Sequence, residues 1–195
     1  KTQQGRKHAE CLDVPLSIDD ATEYTETGYY GKDIESMVAD LLHTANYSIE
    51  QAQRGIIFID EIDKLARRSQ SYKTGGGTRD IGGEGVQQAL LKLLEGRQAL
   101  VPLHGAKTTQ KSDFVQIDTS DILFIAAGTV SDLFDYRQTR AIGFGEGDGA
   151  AGNRPATTGR IASETLIAYG MLAELLGRLP VRVQLQPLGE AELLD

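Results

Sequence analysis

Four consecutive apolar residues, Ile56-Ile57-Phe58-Ile59, run straight into two acids, Asp60-Glu61, and no other stretch of the chain limits its fold so tightly. A run of β-branched and aromatic residues without polar alternation fits a strand covered on both faces, the usual state of a strand in a parallel sheet. Ile122-Leu123-Phe124-Ile125 predicts a second such strand, ending in Ala126-Ala127-Gly128-Thr129. Helical stripes lie between them. Ile34, Met37, Val38, Leu41, Leu42, Ala45, Ile49 and Ala52 recur three and four apart and predict one long helix. Val86, Ala89, Leu90, Leu93 and Leu94 predict another, closed by Gly96. Strands alternating with helices indicate an α/β fold around a parallel sheet, with ligands beyond the carboxyl ends of its strands.

The remaining segments fill in that frame. Val14 to Ile18 reads as a short strand, followed by a polar loop from Asp19 to Gly31. The glycines at 75, 76, 77, 82, 83 and 85 predict a mobile loop after the basic stretch Lys64 to Arg68. Ala99 to Leu103 and Phe114 to Ile117 read as a β-hairpin on the helix-strand framework. Residues 141–160 are a glycine-rich insertion, read as disordered in isolation, with Ile142-Gly143-Phe144 as its apolar cluster. Leu166 to Leu176 predicts a last helix, broken at Gly177-Arg178-Leu179-Pro180, and the alternating Val181, Val183 and Leu185 predict a strand.

A length of 195 residues implies one domain, or one plus a fragment. The net charge of −8 argues against a module that binds nucleic acid through backbone electrostatics. Cys11 is the sole cysteine, which rules out an internal disulfide and an all-cysteine zinc site and points to a reduced, cytoplasmic setting. No apolar run approaches the length of a membrane helix, so no membrane partner is expected. The chain opens at Lys1-Thr2 without methionine and stops in Gly189 to Asp195, which reads as an unfinished helix; a fragment is the expectation.

Asp60 and Glu61 are where chemistry is expected. Mg²⁺ is a hard cation that keeps most of its waters and takes one or two carboxylates. Asp60 can therefore hold the hydrated metal while Glu61 orients and deprotonates an attacking water, the Walker B pattern. A strand ending in a solvated acidic loop is the plain alternative. Together with GIIFIDEIDKL from Gly55 to Leu65, the segments TRDIGGEGVQQALLKLLE from Thr78 to Glu95 and LGRLPV from Leu176 to Val181 make the chain resemble the ClpX family of AAA+ protein unfoldases over nearly its whole length.

The resemblance implies an AAA+ P-loop-type parallel sheet flanked by helices, with β-hairpin and mobile loop insertions. It divides the chain into a large AAA+ domain at 1–185, lacking most of the phosphate loop, and the start of a small helical domain at 186–195. It implies ATP and Mg²⁺ as ligands and a homo-hexamer that draws unfolded or tagged protein substrates through its pore into a ClpP-type peptidase. Lys1 falls where the phosphate loop would meet the β- and γ-phosphates, and Thr2 where it would meet Mg²⁺ together with Asp60. Gly5, inside the helix expected next, costs about 1 kcal/mol against alanine. Gly28-Tyr29-Tyr30-Gly31 resembles the pore loop, with Tyr29 as the gripping ring, and Arg79 matches a second pore-loop position. Arg178 resembles the arginine finger that stabilises charge on a neighbour's γ-phosphate. Thr129 matches the position that senses that phosphate. Ile142-Gly143-Phe144 resembles the peptidase-docking tripeptide.

Departures from the family include Lys107-Thr108-Thr109 where three basic residues are usual, which bears on recognition of degradation tags. Three other readings stay open at this stage. The short chain could be a non-hydrolysing module that joins a ring or docks on a peptidase; it could be of the other bacterial AAA+ peptidase-activator type, whose pore loop is similar but against which Ile142-Gly143-Phe144 argues; or it could remodel nucleic acid, which its charge disfavours.

Overall fold

The computed structural model describes residues 2–25, 32–71, 83–102, 114–129 and 161–185, with the backbone alone at 67–71. Its centre is a parallel sheet of β1 (Leu16–Asp20), β2 (Ile56–Asp60) and β5 (Leu123–Ala126), in the order β1-β2-β5. The register pairs Asp20 with Asp60 and Ile59 with Ala126, so the three carboxyl ends lie side by side. β3 (Gln98–Pro102) and β4 (Phe114–Asp118) form the expected antiparallel pair, with Val101 opposite Val115.

β2 is buried on both faces, as its unbroken apolar run requires. Ile57 and Ile59 join the main core with Met37, Val38, Leu41 and Leu42 of α2 (Glu35–Thr44). Phe58 faces the other way, toward α1 (Thr2–Leu12). There Gly5 has a structural reason: a Cβ at this position would stand 2.7 Å from Phe58 Cδ2. Closeness to the sheet outweighs helix propensity at that turn.

Several boundaries differ from expectation. The first strand runs from Leu16 rather than Val14; Pro15 still accepts the Ile56 N–H at 2.9 Å, but the strand proper extends through Asp19 and Asp20. The long stripe from 34 to 52 forms two helices, α2 and a single turn α3 (Ile49–Ala52), because Asn46 and Tyr47 both take left-handed backbone angles and interrupt the helix. Lys64 lies within α4 (Ile62–Ser71). Gly83 and Gly85 belong to α5 (Gly83–Leu94) instead of a loop. At Gly83 a Cβ would lie 1.9 Å from the Leu65 carbonyl oxygen, so glycine is what lets α5 cross α4 this closely.

The predicted helix at 166–176 is likewise two, α6 (Ser163–Tyr169) and α7 (Ala173–Arg178), separated by Gly170 at φ 115°. Residues 181–185 form no strand; Val181, Val183 and Leu185 are exposed, and their alternation finds no neighbouring strand among the described residues. No helix among the described residues is long and apolar enough to cross a membrane.

Candidate functional site

The carboxyl ends of β1, β2 and β5 carry the candidate residues Asp60, Glu61 and Thr129 or lie beside them. Asp60 is the last residue of β2, half-buried, and both its oxygens are engaged. Thr2 Oγ1 donates a hydrogen bond to Asp60 Oδ2 at 2.8 Å, and the Glu61 backbone N–H donates to Asp60 Oδ1 at 2.9 Å. The first of these joins the start of α1 to the end of β2, an approach that the packing of Gly5 on Phe58 permits.

Glu61 sits at φ 56°. For a residue with a side chain this left-handed conformation costs about 1 kcal/mol or more, and such outliers cluster at functional sites. Here it turns the chain sharply from β2 into α4. The Ile62 N–H is received by the Ala127 carbonyl at 3.0 Å, and the Glu61 carboxylate is left in solvent beside Asp60. A cleft of about 340 Å³ lies along this edge, lined by Ile18, Asp19, Asp20, Glu23, Lys32, Asp40, Asp60 and Glu61.

No group of three or more His, Cys, Asp or Glu among the described residues is placed to hold a metal by protein ligands alone. A hydroxyl and a carboxylate 2.8 Å apart are a different donor set: two hard oxygens, suited to a cation that keeps several waters. Mg²⁺ fits them.

The domain model described as AAA domain (Cdc48 subfamily) matches residues 1–182. The chain belongs to that AAA family. The ClpX subunit 2 of Wolinella succinogenes, named an ATP-dependent Clp protease ATP-binding subunit, is 43% identical over 194 residues, covering 100% of this chain and 47% of the relative. The ClpX subunit of Treponema denticola, of the same description, is 40% identical over 199 residues, covering 99% of this chain and 47% of its own length. The chain thus spans about half the length of the curated relatives it matches.

Within this AAA chain the other expected residues are placed unevenly. Thr129 follows β5; it is exposed, and its backbone N–H donates to Asp63 Oδ1 at 3.0 Å, which ties the end of β5 to the first turn of α4. Arg178 ends α7, half-exposed, 3.7 Å from Glu95 Oε1 rather than beside Asp60. Lys1, Gly28, Tyr29, Tyr30, Gly31, Arg79, Lys107, Ile142, Gly143 and Phe144 lie outside the described residues, as does 186–195.

Two features of this AAA edge escaped sequence reasoning. Asp63, buried, receives Thr129, but an acid in a helix's first turn reads as compensation of the helix dipole. Asp19 and Tyr24 are the second. Both are buried at the end of β1, and the Tyr24 hydroxyl donates to Asp19 Oδ1 at 2.5 Å while Ser17 Oγ donates to Oδ2 at 2.7 Å. Burial pushes the Asp19 carboxyl above its ordinary range, opposed by those two hydrogen bonds. Burial, and then Asp19 itself, push the Tyr24 phenol upward as well, so it remains a protonated donor.

Proposed function

We propose that this chain is the nucleotide-hydrolysing AAA portion of a ClpX-type unfoldase subunit, which works as a homo-hexamer and feeds unfolded or tagged proteins to a ClpP-type peptidase. The observation that carries the reading is the 2.8 Å hydrogen bond between Thr2 and Asp60, with Glu61 exposed next to it. Hydroxyl, metal-binding carboxylate and candidate base stand together at the end of one strand.

In this reading Lys1 pairs with the β- and γ-phosphates of ATP, and Thr2 and Asp60 hold Mg²⁺. The ion, when bound, neutralises charge that develops on the phosphate oxygens. Glu61 orients a water molecule and takes its proton as the water oxygen bonds to the γ-phosphorus and the bond to the β-phosphate oxygen breaks. Thr129 senses the γ-phosphate. Arg178 serves the site of a neighbouring subunit, which agrees with its place away from Asp60, half-exposed at a helix end.

The same reading gives Tyr29 and Tyr30, between Gly28 and Gly31, the task of gripping an extended polypeptide, assisted by Arg79. A ring holding an aromatic side chain on each subunit would pull by apolar contact without reading sequence. Ile142, Gly143 and Phe144 dock on the peptidase, where several copies bind with avidity. The ClpX names of the two relatives support the assignment of partner class.

The test is the dependence of ATP hydrolysis on Mg²⁺ in the full-length protein. Asp60→Ala should lower hydrolysis at millimolar Mg²⁺ by about a hundredfold or more, the loss expected when a phosphoryl-transfer site loses its electrostatic support. Retained hydrolysis at unchanged Mg²⁺ demand would contradict the assignment.

A further inference from the structure

We propose that Tyr24 and Asp19 are positioning residues that tie the stem of the 26–31 segment to the hydrolytic edge of the sheet. This inference rests on the proposed function, since it concerns how the Asp60 edge and the Tyr29 segment act together.

The stem is a closed structure of its own. Tyr24 and Lys32 form a β-bridge, the Thr25 N–H donates to the Lys32 carbonyl at 3.2 Å, and the Lys32 N–H donates to the Glu23 carbonyl at 3.0 Å. Lys32 Nζ reaches Glu23 at 2.9 Å and Asp40 of α2 at 3.9 Å, and stands 6.0 Å above the Tyr24 ring. These contacts join residues 23–25 to 32 and fix where the chain leaves and re-enters.

What the stem is anchored to is specific. Tyr24 is fully buried, and its hydroxyl bonds Asp19, whose other oxygen is held by Ser17. Asp19 lies opposite Ile59 in the parallel ladder, one residue before the Asp20–Asp60 pair. β1 continues through the 3₁₀ turn at Ala21–Glu23 into the stem, and the buried Tyr24–Asp19 hydrogen bond braces that turn, so the stem is held to β1 and, through the ladder, to β2 at Asp60. A hydrogen bond buried in the protein, out of competition with water, holds its partners more firmly than a surface contact does. Lys32 and Glu23 of the stem line the same cleft as Asp60 and Glu61 of the edge. An apolar residue at 24 would fill the same volume and supply no such tie.

Tyr24→Phe removes the hydroxyl and keeps the ring. In the full-length protein, well below the melting temperature and with assembly checked by mass, the variant should hydrolyse ATP at a rate within about twofold of wild type. The ATP consumed per substrate molecule unfolded should rise about threefold or more, within the range seen when coupling residues are altered. Asp19→Asn keeps an acceptor for Tyr24 and a donor for Ser17, and should stay within about twofold of wild type in both readouts. If Tyr24→Phe does not assemble, Asp19→Ala, which removes the acceptor, takes its place and should show the same rise. Unchanged ATP cost in the hydroxyl- or acceptor-deleted variant overturns the inference while the proposed function stands. A wild-type protein that hydrolyses ATP but unfolds nothing, or hydrolyses none, overturns both.

Discussion

Asp60 and Thr2 meet across 58 residues of sequence. The place of Asp60 and Glu61 at the carboxyl end of a buried strand was legible from the unbroken apolar run before them, and Thr2 entered as a candidate through the family resemblance. The hydrogen bond between them was not legible, since it depends on α1 lying against Phe58. Asp19 and Tyr24 left no trace in periodicity: they are five residues apart across a turn of 3₁₀ helix at Ala21–Glu23, and the contact exists only once both are buried. Asp19 also makes a pH prediction. Its folded-state proton affinity exceeds the unfolded one because burial raises its pKa, with Asp40 adding to the rise and Tyr24, Ser17 and Lys32 opposing it. The folded protein therefore binds more protons than the unfolded chain between about pH 4 and the raised value, and stability falls as pH rises through that window. Asp19→Asn removes this slope. Thermal melts across the acid range should show the variant gaining on wild type as pH increases, and a constant difference would contradict the account.

At the scale of elements, helix and strand types were readable, and the interruptions were the part that was not. The apolar stripe from Ile34 to Ala52 keeps its phase through the break at Asn46 and Tyr47, so periodicity alone sees one helix. Gly83 and Gly85 looked like loop residues because glycine lowers helix propensity, whereas at Gly83 the close crossing of α4 and α5 decides. Gln87, fully buried, shows what holds the α6–α7 corner: its Nε2 donates to the Gly170 carbonyl at 3.3 Å and its Oε1 accepts the Leu172 N–H at 2.8 Å. Gln87→Ala leaves both backbone groups without this partner and should cost about 3 kcal/mol, from the penalty of burying unpaired polar groups. Urea unfolding measures it; a change within about 0.5 kcal/mol, the range of ordinary surface substitutions, would show that the corner is held by packing alone.

For the whole molecule, the parallel sheet gathers the carboxyl ends of β1, β2 and β5 along one edge. That edge receives α1 from one end of the described chain and the stem of the 26–31 segment from β1. Arg178 stands apart from it, paired with Glu95, as suits a side chain whose proposed phosphate belongs to a neighbouring subunit. The acidic balance of −8 disfavours nucleic-acid binding through backbone electrostatics. The central claim is that Glu61, turned out of β2 by its left-handed backbone, is the base for water attack on ATP. Its most direct test is Glu61→Gln in the full-length protein, with bound nucleotide identified after incubation with ATP and Mg²⁺. The account predicts that ATP still binds and remains ATP, with turnover reduced by about a hundredfold or more; undiminished turnover would contradict it.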